Sequence, residues 1–141
     1  MLPKNVFLDG DWCWDMRPFL VTSETKSMVM DNIAYLLNSF IRCREYENVL
    51  FCWVLHERAI LEELLSRLDT AQCEIRAFSL VAAPAALEQR LRADIAAGIR
   101  TPDALQRSLA RLVCYPVQGT EKIDVSGITP AQAALQICAL L

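Results

Sequence analysis

The chain has 141 residues, 54% of them hydrophobic, with few glycines and prolines, which is the size and composition of one compact domain, here residues 1–141. A formal net charge of −3 excludes the broad basic surface that nucleic-acid binding needs, so small molecules or other proteins are the expected partners. The start, Met-Leu-Pro-Lys-Asn, has no leader pattern, and the apolar stretches 49–55 and 77–87 are too short to cross a bilayer; a soluble cytoplasmic protein without a membrane partner is expected.

In chain order, the apolar run Val6-Phe7-Leu8 predicts a strand over 5–9, ending in Asp9-Gly10-Asp11. A loop to about Ser23 follows, and then Val29, Ile33, Leu36, Leu37, Phe40 and Ile41 recur at helical spacing up to about Arg44. Residues 48–54 are β-branched and aromatic without alternation, which predicts a strand buried on both faces. A helix over 57–68 carries the stripe Ile60, Leu61, Leu64, Leu65 and Leu68. A third strand runs over 75–81, and Pro84 opens a helix that turns Leu87, Leu91 and Ile95 inward and stops at Gly98. Thr101-Pro102-Asp103 starts another helix, to about Tyr115. Lys122–Val125 is a short fourth strand, and Thr129-Pro130 caps a final helix. Strands alternating with helices imply an α/β fold, a three-layer parallel sheet with helices on both faces.

Two acids at the tip of a buried strand sit where α/β sheets hold ligands. The glycine between Asp9 and Asp11 lets the chain turn so that both face one crevice. One acid then holds the water shell of a magnesium ion and the other orients or deprotonates an acceptor hydroxyl. The plainer reading is a turn in which the aspartates bond backbone amides. Trp12, Trp14 and Phe19 wall a substrate pocket with Arg17 for charge recognition, or else seal the sheet edge against the helix beginning at Glu24. Arg90, Arg92, Arg100, Arg107 and Arg111 crowd one stretch broken by Gly98; they are phosphate ligands on a moving flap, or a solvated face paired with Glu88, Asp94 and Asp103. His56 either contacts a ligand at the sheet edge or caps the helix after it. The six cysteines contain no Cys-x-x-Cys pair and read as reduced, mostly buried small hydrophobes, Cys13 beside the acids being the one to test for reactivity.

A phosphate loop requires Gly-x-x-x-x-Gly-Lys-Ser/Thr. The only glycines are Gly10, Gly98, Gly119 and Gly127, the only lysines Lys4, Lys26 and Lys122, and no lysine follows a glycine.

The order of these motifs resembles the P-loop kinases of small molecules, the gluconate-kinase, shikimate-kinase, chloramphenicol-phosphotransferase and nucleoside-kinase-like group. The resemblance implies that Asp9 and Asp11 are catalytic, with Asp9 also serving magnesium. It implies further that Arg100 and Arg107 clamp phosphates, that Arg90 packs on adenine, and that the loop at Ser126 reaches the adenine of ATP. ATP and magnesium are thus the cofactors of full-length relatives, and a small molecule is the acceptor. In that group a strand-loop-helix unit of roughly 25 to 30 residues precedes the acidic strand. This chain is therefore expected to be an N-terminally truncated or degenerate phosphotransferase, inactive alone; a non-catalytic ligand-binding or dimerisation module of the same fold is the alternative. The missing strand belongs between the second and third strands here. Closure of that gap, giving the spatial order one to four, is expected, with a homodimer through the exposed gap as the other solution.

Overall fold

The computed structural model describes residues 2–117 and 119–141. The chain divides into two compact units, Met1–Ile75 and Arg76–Leu141.

In the first unit β1 (Asn5–Asp9) passes directly into a 3-10 turn (Gly10–Trp14), and α1 (Ser23–Arg42), β2 (Asn48–Cys52) and α2 (Arg58–Ser66) follow. Thr22 starts α1 with a reciprocal capping box to Thr25, which satisfies two orphan donors of the first turn. The apolar positions that repeat along α1 become the core: Val29, Met30, Ile33, Ala34 and Leu37 are buried against Leu8 of β1 and Leu64 of α2. β1 and β2 are parallel, with Leu8 opposite Phe51 and Asp9 opposite Cys52. Since side chains alternate, Leu8 and Phe51 face this core while Phe7, Asp9 and Cys52 share the other face. The end of α2 is tied to α1 by polar groups. Asn38 donates to the Arg67 carbonyl at 2.9 Å and accepts from the Asp69 amide at 2.8 Å, and the Arg67 guanidinium bridges Asp31 and Glu63.

In the second unit the order is β3 (Phe78–Val81), α3 (Pro84–Ala96), α4 (Asp103–Arg111), a 3-10 stretch (Leu112–Val117), β4 (Glu121–Asp124) and α5 (Pro130–Leu140). β3 and β4 are parallel, Leu80 opposite Ile123. Leu91, Ala104, Ile123 and Ala133 are buried, and the buried Ser79 hydroxyl bonds the Thr120 hydroxyl at 2.6 Å. α3 ends where a left-handed residue is needed. Gly98 has φ +72°, its amide donates to Ile95 and the Ile99 amide to Asp94, the paired bonds of a Schellman cap. Thr129 and Gln132 form the capping box of α5, as the Thr-Pro start implied.

The strands assemble as two separate two-stranded parallel sheets, β1-β2 and β3-β4. The expected closure, with the second strand paired to the third, does not form. β1 and β2 pack on the core built from Leu8, the α1 stripe and Leu64, and residues 75–77, expected in the third strand, lie outside β3, where Ile75 is solvent-exposed. No helix among the described residues is long and apolar enough to cross a membrane.

Candidate functional site

The two acids occupy the carboxyl end of β1. Asp9 caps the 3-10 turn, its Oδ1 accepting the Asp11 amide at 2.9 Å, so the turn reading is realised by one oxygen of one acid. Asp11 is exposed in the first turn. Cys52 is the cross-strand partner of Asp9. Partial burial and then the fields of Asp9 and Asp11 hold its thiol above the ordinary cysteine value. The reason for Gly10 differs from the expected one. It is not in a left-handed conformation; it is buried under the Trp53 side chain, and a Cβ there would lie 2.5 Å from Trp53 Cγ. Trp53, the first residue beyond β2, is the site neighbour that sequence reasoning missed. An apolar strand running into tryptophan opposite a strand-terminal glycine was the available signal.

The aromatic cluster divides. Trp12, 61% exposed, meets Phe7 edge-to-face at 5.7 Å on the face that carries Asp9. Trp14 instead packs against the core and lies 6.0 Å from the Phe19 ring, which is 66% exposed. Arg17 is exposed, joined to Pro18 by a cis peptide bond. Trp12 and Phe7 thus lie on the face of Asp9, while Trp14 turns to the core with Phe19 beside it.

His56 does not cap α2: Glu57 is the N-cap residue and makes no side-chain cap bond. The imidazole Nε2 lies 3.4 Å from a Glu57 carboxylate oxygen, and its Nδ1 is buried without a hydrogen-bond partner. All six cysteines are free. Burial pushes the Cys13 thiol up, the opposite of nucleophile activation.

The arginines of the second unit fall into two kinds. Arg90 donates through Nη2 to the carbonyls of Val125, Ser126 and Ile128, at 2.5, 3.2 and 3.4 Å, and so straps the loop between β4 and α5. Ser126 continues the strap. Its hydroxyl accepts the Ala83 amide at 2.7 Å and donates to Asp124, whose carboxyl is held below its usual range by Ser126. Arg100 pairs with Asp94 at 3.0 Å, Arg107 with Asp103 at 3.3 Å and Arg92 with Glu88, the acids named by the solvated-face reading. Exposed pairs of this sort contribute little, so Arg100 and Arg107 exchange partners cheaply, whereas Arg90 would have to abandon three carbonyls. An apolar groove of about 450 Å³, walled by Val81, Pro84, Leu112, Val113 and Tyr115, lies in this unit.

Among the described residues, no cluster of three or more His, Cys, Asp or Glu side chains stands ready to cage a metal. Magnesium does not ask for one: it is held by one or two carboxylates while keeping its waters.

No protein-family model and no curated protein matches the sequence. Among solved structures the chain is similar to the Deinococcus radiodurans tunicamycin resistance protein, at 19% identity and a TM-score of 0.65, over 98% of this chain and 82% of that one. The likeness establishes the fold: the chain is an α/β protein that shares the fold of that structure.

Proposed function

We propose that the chain is the acceptor-side part of a small-molecule phosphotransferase of the P-loop-kinase group, working in the cytoplasm as one kinase-like domain over 1–141. The carrying observation is the pair of acids at the carboxyl end of β1, Asp9 closing the strand and Asp11 opening the 3-10 turn that follows it. In this reading Asp11, exposed and outside the capping bond, accepts the proton of an acceptor hydroxyl, and Asp9, its Oδ1 already spent on the Asp11 amide, offers its second oxygen to magnesium. Magnesium, when bound, supplies charge neutralisation for phosphate oxygens. Trp12 gives the acceptor an apolar surface beside the acids, with Arg17, Trp14 and Phe19 bordering it. Arg100 and Arg107 supply phosphate contacts after leaving Asp94 and Asp103, while Arg90 and Ser126 fix the loop that faces the nucleotide base of ATP.

The second reading is a non-catalytic module that keeps the acceptor pocket and senses a small ligand. It is favoured by the partners already held by Arg90, Arg100 and Arg107, and by a sequence of 141 residues without Gly-x-x-x-x-Gly-Lys-Ser/Thr. Calorimetry with magnesium and ATP tests the acceptor-side reading. Without phosphate-loop amides and lysine, a dissociation constant at or above about 1 mM is expected. Micromolar binding would overturn it. An in-frame phosphate-loop motif encoded immediately upstream of Met1 would decide for the enzyme over the sensing module.

A further inference from the structure

Trp12 and Phe7 pack edge-to-face at 5.7 Å, yet they stay 61% and 45% exposed. Trp14, two residues on, packs on the core, so the turn buries one indole and presents the other. An edge-to-face contact occupies one face of one ring and leaves electron-rich faces open. The charge around these rings has one sign. Residues 5–16 contain Asp9, Asp11 and Asp15 and no lysine or arginine. Lys4, just before them, is paired with Glu47 at 2.9 Å, and Arg17, just after, is one charge against three. Asp9 lies two residues from Phe7 on the same face of β1, about 7 Å along the strand. Partial burial and then Asp9 and Asp11 raise the thiol of Cys52, which is exposed on that face. All of these residues belong to the first unit.

An open indole face among carboxylates is the chemistry that recognises organic ammonium ions. A cation within about 6 Å of a ring centroid is drawn to the negative face of the ring, and nearby acids add to the attraction. A neutral ligand gains the area of the rings and nothing from the acids, and an anion is repelled. We propose that the acceptor bound beside β1 is a small amino alcohol, with its ammonium group on the Trp12 ring and its hydroxyl at Asp11. The place of the hydroxyl rests on the acceptor-side reading, whereas the ammonium site follows from the rings and the charges.

Calorimetry with choline and with its neutral isostere, in which carbon replaces nitrogen, isolates the cation. The natural chain is expected to bind choline at least about ten-fold more tightly than the isostere. Trp12→Leu is expected to bring the two within about two-fold, and Trp12→Phe to keep most of the preference. Circular dichroism checks that both variants fold; if Trp12→Leu does not, the comparison in the natural chain decides alone. Equal affinity for choline and the isostere would overturn the proposal and leave the acceptor-side reading with a neutral acceptor. No choline binding up to about 10 mM would overturn it as well, and so would a preference that survives Trp12→Leu. Propyltrimethylammonium, with methyl in place of the choline hydroxyl, tells the two failures apart. It is expected to bind at least about three-fold less tightly, because it cannot bond Asp11. If it matches choline, the amino-alcohol assignment falls together with the acceptor role of Asp11, although the preference for charge remains.

Discussion

At the residue scale the sharpest constraint is Gly10. Its place under Trp53 leaves no room for a methyl group, so Gly10→Ala is expected to destabilise the first unit by about 2 kcal/mol, within the range for overpacking, as read by urea unfolding. Trimming Trp53 to leucine in the same chain should recover part of that loss, which a backbone effect at Gly10 would not allow. Cys52 reports on the acids. Because burial, Asp9 and Asp11 all raise its thiol, alkylation at pH 8 is expected to be slower than for a free cysteine and to quicken in Asp11→Asn, as peptide mapping would show. Millimolar magnesium should quicken it too if Asp9 and Asp11 hold the ion, and should do nothing in Asp11→Asn. The identity of these acids was legible in sequence, since an apolar strand ending in Asp-Gly-Asp needs no fold to be noticed. The purpose of the glycine was not: it depends on a tryptophan 43 positions later that only the β1–β2 register brings over it.

At the scale of elements, the loop between β4 and α5 depends on Arg90 and Asp124. Arg90→Ala is expected to cost about 1 to 2 kcal/mol and to speed amide exchange over 125–128, because the carbonyls lose a charged donor. Asp124 and Asp103 both have carboxyls held below their usual range, the first by Ser126 and the second by Thr101. A carboxyl whose folded pKa lies below its unfolded value contributes stability that is fully present above about pH 4 and is lost as the pH falls through the folded value. Acid unfolding of Asp124→Asn should therefore depend less steeply on pH below about 4 than that of the natural chain. Helices were read well at this scale, since Leu91 and Val29 through Leu37 recur at helical spacing and are the residues buried. Strand ends were read less well. Residues 53 and 54 and residues 75–77 have strand-like side chains but fall outside the ladders, and no side-chain pattern reports where a partner strand stops.

At the scale of the molecule, the alternation of strands and helices was sufficient for the α/β class, and the structural likeness to the tunicamycin resistance protein agrees with it. The pairing of strands was not legible. Val49–Phe51 and Phe78–Val81 read as equally apolar, and nothing in those side chains says whether they join each other or a third strand; they join β1 and β4 instead. The acceptor-side reading also belongs here, because it concerns what the chain does and not one element of it. It predicts that Asp11→Asn leaves the fold intact by circular dichroism but abolishes acceptor turnover in any longer form that transfers phosphate, a fall in kcat of at least about 100-fold with a smaller change in KM.

The Trp53 side chain lying on Gly10 also makes the protein its own optical gauge. An indole lying on the glycine between two acidic residues responds in its emission to the charge and wetness around it. With Trp12 and Trp14 changed to phenylalanine, the remaining fluorescence comes from the side chain lying over the turn between Asp9 and Asp11. The chain can thus be screened against libraries of hydroxylated small molecules, and against divalent ions, with no label, no nucleotide and no assumption about what reaction follows.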